Sequence, residues 1–256
     1  MNDILNGRYW DDGIKLVSGC TRCSDGCKNC WSLAMEYRFE GTHDKYGNIK
    51  ALPTHKIEVY PDRLKRFNTK KSQVFSIWND LFHPDVSDSF QYMVYREMIL
   101  NKQNTYLILT KRPAIMADFF SPKKCFTLPS FEGIWHGLTV CNQQEMEDKG
   151  VFFEVPGNKF LSLEPLLSKV IIPPWVIEKH LLNAVILGGE TGAGARPLHP
   201  DWVRSVHDQC AAAGVPFFFK GWGKTWQILP EVNFSKELKR SLDGRTYDDL
   251  PWVNNA

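Results

Sequence analysis

The 256-residue sequence predicts an α/β fold in which parallel strands form a barrel or a partial barrel within a single domain. Three observations favour this fold: short apolar runs recur along the chain, helix-compatible stretches separate them, and polar residues follow nearly every run. Nearly continuous apolar runs such as Thr105–Leu109 are typical of strands buried on both faces, as in a parallel sheet covered by helices. A doubly wound sheet is the alternative that this pattern leaves open.

Seven apolar runs of strand length, rich in Val, Ile, Leu or Phe, predict the strands. In chain order they are Ile14–Ser18, Gln73–Ile77, Thr105–Leu109, Ile134–Val140, Lys159–Leu163, Ala184–Leu187 and Pro216–Phe219. His55–Tyr60 predicts one additional short strand outside this series.

Five intervening stretches predict helices on the spacing of their apolar residues. They are Ser32–Glu40, Asp88–Asn101, Pro113–Phe119, Gln143–Lys149 and Pro200–Ala213. The last has the clearest boundaries, because Pro200 suits a first helical turn and Gly214 suits a helix C-terminus. No linker or low-complexity run divides the chain, so we expect one domain over residues 1–256, with residues 224–256 as a C-terminal extension of helix and tail.

Composition excludes several classes of protein. The chain carries 31 basic and 29 acidic residues, a net charge of +2, and is 43% hydrophobic, which argues against a disordered chain, a coiled coil or a polycation that coats nucleic acid. No apolar stretch approaches the roughly 18 residues of a membrane span. The odd count of 7 Cys and the absence of a secretion signal predict a cytoplasmic protein.

Cys20, Cys23, Cys27 and Cys30 fall within eleven consecutive positions, directly after the first predicted strand. Disulfides fit a reducing compartment poorly. Structural zinc sites usually separate two C-x-x-C pairs by a dozen or more residues, whereas only three residues separate Cys23 from Cys27. Such crowded thiols favour an iron–sulfur cluster, with a zinc site and unligated redox thiols as the alternatives.

Cys23, Cys27 and Cys30 also have the C-x-x-x-C-x-x-C spacing of radical S-adenosylmethionine (SAM) enzymes. This resemblance implies a [4Fe–4S] cluster held by three thiolates, with a fourth iron that SAM chelates through its amino and carboxylate groups. An electron from the cluster then cleaves SAM, and the resulting 5′-deoxyadenosyl radical abstracts hydrogen from the substrate. The protein orients and shields this cofactor chemistry.

Longer motifs carry a more specific resemblance over nearly the whole chain. They are SGCTRCSDGCKNCW, NDLFHPDV, LILTKRP, IWHGLTV, FLSLEPLL, VILGGETGAGARPLHPDWVRSVHDQC, GVPFFFKGWG and LDGRTYDDLPW. Together they resemble the phage Gp37/Gp68 family, also called the DUF5131 or three-Cys-motif family, whose members are divergent radical SAM proteins. The resemblance implies a radical SAM type of barrel and, for a phage-encoded chain, a location in the host cytoplasm.

The family pattern and the general radical SAM spacing select different first cysteines. The family's C-x6-C-x2-C pattern maps onto Cys20, Cys27 and Cys30, whereas the general spacing selects Cys23 in place of Cys20. Both choices require Cys27 and Cys30. We favour Cys20, because it directly ends the predicted strand, as the family's first cysteine does.

Other positions resemble radical SAM motifs less closely. Trp31 is a candidate contact for the SAM adenine, although it equally suits core packing at the start of the next helix. Gly188, Gly189 and Glu190 resemble the GGE motif that grips the SAM amino group, but they follow a late strand instead of the second. The alternative is a glycine-rich turn that allows close approach of the backbone.

Charged residues at strand ends supply further candidates, because active sites of parallel β/α folds lie there. Asp80 and His83 are candidate SAM or substrate contacts, or else a helix-entry cap. Lys111 and Arg112 would bind a carboxylate or phosphate, unless Arg112 pairs with an acidic residue, Glu164 or Glu190.

The late strand ends add four more candidates. Glu164 and Glu190 would hold the ribose hydroxyls or the ammonium of SAM, and Arg196 and His199 would contact an anion or the substrate. Lys220 emerges from three Phe residues, a costly position unless a partner or ligand meets it. The expected catalytic residues are Lys220, Glu164 and His83.

These features predict a radical SAM enzyme that acts on a small-molecule or nucleobase substrate, with a flavodoxin or ferredoxin as reductant. The phage resemblance suggests rearrangement of an amino-acid-modified thymine in DNA. One alternative is a zinc-binding module that contacts nucleic acid through the basic stretches 63–71 and 236–240. Another is a barrel hydrolase that uses Asp80, Glu164 and Glu190 for acid–base work.

Overall fold

The computed structural model describes residues 7–39, 42–43, 49–51, 56–124, 130–224 and 239–253, and its centre is a seven-stranded parallel sheet. The strands are β1 (Asp12–Lys15), β2 (Val74–Trp78), β3 (Thr105–Thr110), β4 (Ile134–Thr139), β5 (Asn158–Leu163), β6 (Ala184–Gly188) and β7 (Phe217–Gly221). They pair in chain order, and the sheet curls into a half-barrel. The predicted single-domain α/β fold with a partial barrel is confirmed.

Strand order separates this fold from a doubly wound sheet. A doubly wound sheet reverses its strand order at a switch point, whereas here every strand pairs with its sequence neighbours in the series. The first predicted strand is split, because Val17–Ser18 leaves the sheet and pairs antiparallel with Glu58–Val59. Glu58–Val59 lies within the additional strand that the sequence predicted. A separate antiparallel pair joins Thr42–His43 to Ile49–Ala51.

All five predicted helices are present, with ends that differ by at most one residue. They are α1 (Trp31–Phe39), α2 (Asp88–Leu100), α3 (Pro113–Phe119), α4 (Gln143–Asp148) and α6 (Pro200–Ala213). Gly214 ends α6 with a φ of 65°, a left-handed conformation that glycine adopts without steric cost. The short helix α5 (Pro174–Glu178) and the 3-10 segments Pro61–Phe67 and Gly150–Glu154 were not predicted, because they are too short to show a period.

Successive side chains of each strand point to opposite faces of the sheet, and each face has its own hydrophobic core. Residues such as Tyr106 and Ile108 of β3 join the larger core. Leu107 of the same strand, Phe160 of β5 and Phe218 of β7 point to the other face, which is the concave side of the half-barrel. Ser162, Glu164 and Lys220 continue these inner positions toward the carboxyl ends of β5 and β7.

The concave face is filled by the two ends of the described chain. Leu250, Trp252 and Val253 pack there together with Tyr9, and the indole Nε1 of Trp252 donates to the Tyr9 carbonyl oxygen at 3.1 Å. The predicted C-terminal extension therefore contributes to the core over residues 239–253. The described residues 239–253 hold no α-helix, and residues 225–238 of the predicted extension lie outside the described residues. In the described part of the chain, no helix has the length and apolarity needed to cross a membrane.

Candidate functional site

The segment that carries the four clustered cysteines, residues 19–30 (the cysteine loop), lies across the carboxyl ends of the central strands. It contacts side chains that follow β2, β3, β4 and β6, in the pairs Thr21–His83, Cys27–Lys111, Asp25–Asn142 and Asn29–Glu190. The cysteine loop therefore lies at the edge of the sheet where parallel β/α folds have their active sites.

The thiols of Cys23 and Cys27 lie within hydrogen-bond distance of each other. The hydrogen bond from Cys23 lowers the pKa of the Cys27 thiol to about 3, and the Lys111 ammonium, with its Nζ 3.7 Å from the Cys27 sulfur, acts in the same direction. The same hydrogen bond raises the pKa of Cys23. The opposite shifts make Cys27 the thiolate of the pair, although it is buried, and the exposed Cys23 the thiol that donates to it.

Cys20 and Cys30 are half-buried in the same loop. Burial raises the pKa of Cys20, and Nη1 of Arg112 lies 4.0 Å from its sulfur. A fifth thiol, Cys141, is buried below the loop at the end of β4, and burial raises its pKa to about 11. The loop thus has cationic side chains beside two of its sulfurs and a neutral thiol beneath it.

The chemistry of these donors suits an iron–sulfur cluster. Four thiols lie within eleven residues, one is already a thiolate, and Lys111 and Arg112 offset the negative charge that cluster thiolates bring. Among the described residues, no three or more His, Cys, Asp or Glu side chains are placed to hold a metal ion. Binding a cluster would therefore draw the thiols together from the positions described.

Arg112 connects the first part of the cysteine loop to the sheet. Its Nη1 pairs with Asp80 at 2.7 Å, and its Nη2 donates to the carbonyl and hydroxyl oxygens of Thr21 at 2.8 and 3.0 Å. Asp80 also accepts from the Thr110 hydroxyl at 2.7 Å. The acidic partner of Arg112 is therefore Asp80, and the predicted alternative of Glu164 or Glu190 is wrong, because Asp80 follows the neighbouring strand.

His83 also bonds to this part of the loop. Its Nδ1 accepts from the Asp85 backbone N–H at 3.2 Å, and its Nε2 lies 2.8 Å from the Thr21 hydroxyl. Burial is the main cause that lowers the pKa of His83. The ring is therefore neutral, with its proton on Nε2 and directed at Thr21.

Glu190 and Arg196 hold the second part of the cysteine loop. The Glu190 carboxylate accepts from the Arg196 backbone N–H at 2.8 Å, from Arg196 Nε at 2.9 Å and Nη2 at 2.6 Å, and from Asn29 Nδ2 at 3.0 Å. Nη2 of Arg196 also donates to the Asp25 carbonyl oxygen at 3.0 Å. Although burial raises the pKa of Glu190, the hydrogen bonds from Arg196 lower it to about 2. The ion pair therefore persists across the physiological pH range.

The two glycines before Glu190 serve close packing. A Cβ on Gly189 would lie 2.1 Å from the carbonyl oxygen of Trp222, so only glycine allows the turns after β6 and β7 to meet here. A Cβ on Gly188 would lie 3.3 Å from Glu164 Oε1. The need for glycine at position 189 thus has a packing explanation, while the predicted SAM contacts of both glycines stay predictions.

Glu164 and Lys220 form a second polar group, at the carboxyl end of the concave face. Lys220 Nζ lies 2.7 Å from Glu164 Oε1, and Glu164 Oε2 accepts from Tyr9 at 3.2 Å and from Ser162 at 3.0 Å. The Lys220 ammonium is also 5.5 and 5.7 Å from the ring centroids of Tyr9 and Trp10. Lys220 has the partner that its position required, and its side chain remains 39% exposed.

Trp31 and His199 take different positions. Trp31 begins α1 half-exposed, with its ring edge against Trp78, so it is not a buried core residue. His199 is the N-cap of α6, where its Nδ1 accepts from the Asp201 backbone N–H at 3.2 Å. The Trp31 side chain is accessible to a ligand, whereas the His199 ring has a capping role that the sequence analysis did not assign to it.

The basic stretch 63–71 runs beside β1 and leads into β2. Arg66 pairs with Asp12 at the first residue of β1, and Arg63 donates to the carbonyl oxygen of Lys15 at its last residue at 2.6 Å. These two basic side chains therefore have partners within the sheet. Of the other basic stretch, residues 236–238 lie outside the described residues.

Sequence reasoning missed three residues of the site, Tyr9, Asn29 and Gly26. Tyr9 and Asn29 act through hydrogen bonds to residues more than 150 positions away, which no local pattern reveals. Gly26 carries no signal of its own in a single sequence, because glycine also occurs wherever the backbone turns. A Cβ there would lie 2.2 Å from the Cys141 sulfur.

The fold and the site together define a class, an α/β half-barrel protein with a cysteine-rich loop across the carboxyl edge of its sheet. Within this class, the chain belongs to the family DUF5131, described as a protein of unknown function, whose model matches residues 7–251. This match confirms the family resemblance that the motifs predicted. No curated protein and no solved structure gave a significant match.

Proposed function

We propose that this protein is a radical SAM enzyme that holds a [4Fe–4S] cluster in the cysteine loop. The observation that carries the proposal is the position of the four cysteines across the carboxyl edge of a parallel half-barrel, with Lys111 and Arg112 beside their sulfurs. When bound, such a cluster supplies an electron for the reductive cleavage of SAM.

Cys27 and Cys30 would hold the cluster, together with Cys20 or Cys23. Hydrogen bonds and positive charge around cluster sulfurs raise the reduction potential. Lys111 at Cys27 and Arg112 at Cys20 are placed to act in this way, and Asp80 holds Arg112 in its orientation. Trp31 is accessible enough to meet the adenine, and the roles of Gly188, Gly189 and His199 toward SAM stay predictions.

Glu164 and Lys220 are the proposed substrate residues. They lie on the concave face near the strand ends, and neither bonds to the cysteine loop among the described contacts. The exposed Lys220 ammonium suits an anionic or carbonyl group on a substrate. The Glu164 carboxylate, hydrogen-bonded by Tyr9 and Ser162, would keep that ammonium oriented.

For the substrate, we propose a nucleobase that carries an amino-acid group, as in an amino-acid-modified thymine of phage DNA. The support is the resemblance to a phage family together with the Lys220–Glu164 pair, whose two charges complement the carboxylate and ammonium of an amino acid. A flavodoxin or ferredoxin would supply the electron.

The proposal is tested by anaerobic reconstitution with iron and sulfide, followed by addition of SAM and a reductant. We expect about four irons per chain and formation of 5′-deoxyadenosine. One zinc per chain with neither iron nor sulfide, or a fully loaded cluster that yields no 5′-deoxyadenosine, would refute the proposal.

The substrate assignment has its own test. An oligonucleotide with an amino-acid-modified thymine should increase 5′-deoxyadenosine formation and be converted to an isomer of unchanged mass, because the reductant and the solvent supply the electron and the proton that replace the hydrogen lost to 5′-deoxyadenosine. Lys220→Met should lower this conversion at least ~10-fold, because loss of one charged hydrogen bond costs about 1.5–3 kcal/mol. Lys102→Met, an exposed lysine at the opposite edge of the sheet, is the matched control. Equal conversion by the two variants would refute a role for Lys220 in substrate binding.

A further inference from the structure

The Glu190 carboxylate is buried and already accepts hydrogen bonds from the protein, unlike a carboxylate that is open to a ligand. A carboxylate has about four lone-pair sites, and four donors surround Glu190: three N–H groups of Arg196 and the amide of Asn29. The side chain is buried, with 3% of its surface exposed. Oε2 accepts three of these bonds and Oε1 accepts one, and because the side chain is buried, an ammonium or a ribose hydroxyl would have to move part of this group aside to reach the carboxylate.

The partners of Glu190 lead directly to the cysteine loop. Asn29 stands between Cys27 and Cys30, and it also donates to the Gly194 carbonyl oxygen at 2.8 Å. Arg196 reaches the Asp25 carbonyl oxygen in the 3-10 turn that carries Cys27. Through Asn29 and through Arg196, Glu190 thus connects the segment after β6 to residues 25 and 29 of the loop, which lie on either side of Cys27 and just before Cys30.

We propose that Glu190 is a positioning residue that fixes the cysteine loop through Arg196 and Asn29. This inference takes one point from the proposed function, which is that the cysteine loop is the site of the cluster. Because Glu190 is ionised and buried against Arg196, the contacts are charge-assisted hydrogen bonds, which are stronger than neutral ones. The group fixes the backbone on either side of Cys27 before any cluster is bound, so that the thiols move to meet iron from a loop that is already held in place.

The test is amide hydrogen exchange over residues 19–30 of the full-length chain, measured before and after cluster reconstitution. Arg196→Ala removes the guanidinium contacts to Glu190 and Asp25, so exchange at Cys27, Lys28 and Cys30 should become roughly 10- to 100-fold faster. These three amides bond within the loop and report on its opening. Arg196→Lys retains the positive charge and should recover part of the protection.

Arg204→Ala provides the matched control. Arg204 makes the same kind of ion pair, with Nε and Nη2 bonded to Asp243 at 2.8–3.3 Å, on exposed surface. Arg204→Ala should leave amide hydrogen exchange in the cysteine loop at the wild-type rate. Iron release to a chelator after reconstitution gives a second readout, and Arg196→Ala should accelerate it while the thermal midpoint stays close to that of Arg204→Ala.

Glu190→Gln tests the carboxylate itself, since it removes the charge and retains one acceptor oxygen. Unchanged loop exchange in both Arg196→Ala and Glu190→Gln would overturn the positioning role, even where SAM binding is lost. Faster exchange in a chain that takes up no cluster would support the positioning role and refute the proposed function. The two proposals therefore fail independently.

Discussion

Individual cysteines in the loop differ in environment, and this difference bears on which of them would hold the proposed cluster. Cys27 is a buried thiolate beside Lys111, and Cys20 is half-buried beside Arg112, whereas Cys23 is exposed and donates a hydrogen bond to Cys27. We expect Cys20→Ser and Cys27→Ser to lose most of the cluster after reconstitution. Cys23→Ser should retain it, because the serine hydroxyl still donates to Cys27.

Iron and sulfide per chain, with the visible absorption of the cluster, measure the outcome. Cys210→Ala is the control, because this buried thiol lies in α6, outside the loop. Retention of the cluster by Cys20→Ser and its loss in Cys23→Ser would reverse the assignment and favour the general radical SAM spacing.

His136 governs a different property, the stability of the protein in acid. It is fully buried, its Nδ1–H donates to the Pro156 carbonyl oxygen, and its Nε2 accepts from the Tyr95 hydroxyl. Burial lowers its pKa from 6.5 to about 3. The unfolded chain therefore binds a proton below pH 6.5 that the folded chain excludes. The free energy of unfolding should fall as pH drops from 6.5 to 3, by up to about 1.4 kcal/mol per pH unit.

Urea denaturation between pH 7 and pH 4 measures this slope. His136→Gln should flatten it, because glutamine does not titrate. Tyr95→Phe is the comparison, since it removes one hydrogen bond and keeps the buried imidazole, so it should lower stability and preserve the slope. Equal slopes in wild type and His136→Gln would show that another group controls acid stability.

At the scale of the elements, the cysteine loop depends on its contact with the end of β4. A Cβ on Gly26 would lie 2.2 Å from the Cys141 sulfur, so Gly26→Ala should lower the free energy of unfolding by about 1–3 kcal/mol. Adding Cys141→Ala removes that sulfur and should restore at least ~1 kcal/mol. Gly150→Ala is the control, because its Cβ would meet nothing closer than 3.8 Å.

Denaturation of the single and double variants gives the coupling energy. Additive effects of Gly26→Ala and Cys141→Ala would contradict direct packing of the loop against β4. If Gly150→Ala lowers the free energy of unfolding as much as Gly26→Ala does, the destabilisation comes from replacing glycine by alanine and not from contact with Cys141.

The sheet and the helices were predictable from sequence because their signals are local. Thr105–Leu109 is continuously apolar, and Pro200 and Gly214 mark the ends of α6 with the residues that helix ends prefer. The carboxyl-edge position of the site followed from the parallel fold. Pairings within the site were not predictable in the same way. Arg112 had several acidic candidates, and the pairing of β2 with β3 is what brings Asp80 to it.

On the scale of the whole molecule, the half-barrel depends on the C-terminal segment to fill its concave face. Apolar side chains of the inner face, such as Phe160 and Phe218, would otherwise meet water, and a half-open sheet has no opposite strands to cover them. Trp252 covers them, with its ring centroid 4.7 Å from that of Trp135 and 5.3 Å from that of Phe160. The segment after the last strand is thus part of the fold's core.

Trp252→Ala should therefore destabilise the entire protein by about 3–5 kcal/mol, the usual cost of removing a buried aromatic side chain. Trp175→Ala is the matched control, because Trp175 is 40% exposed and makes an edge contact with Phe153. Trp175→Ala should lower the free energy of unfolding clearly less than Trp252→Ala does. Chemical denaturation followed by circular dichroism compares the two variants. Equal losses would mean that the C-terminal segment only lies on the concave face. A larger loss in Trp252→Ala would mean that the segment completes the half-barrel that supports the cysteine loop.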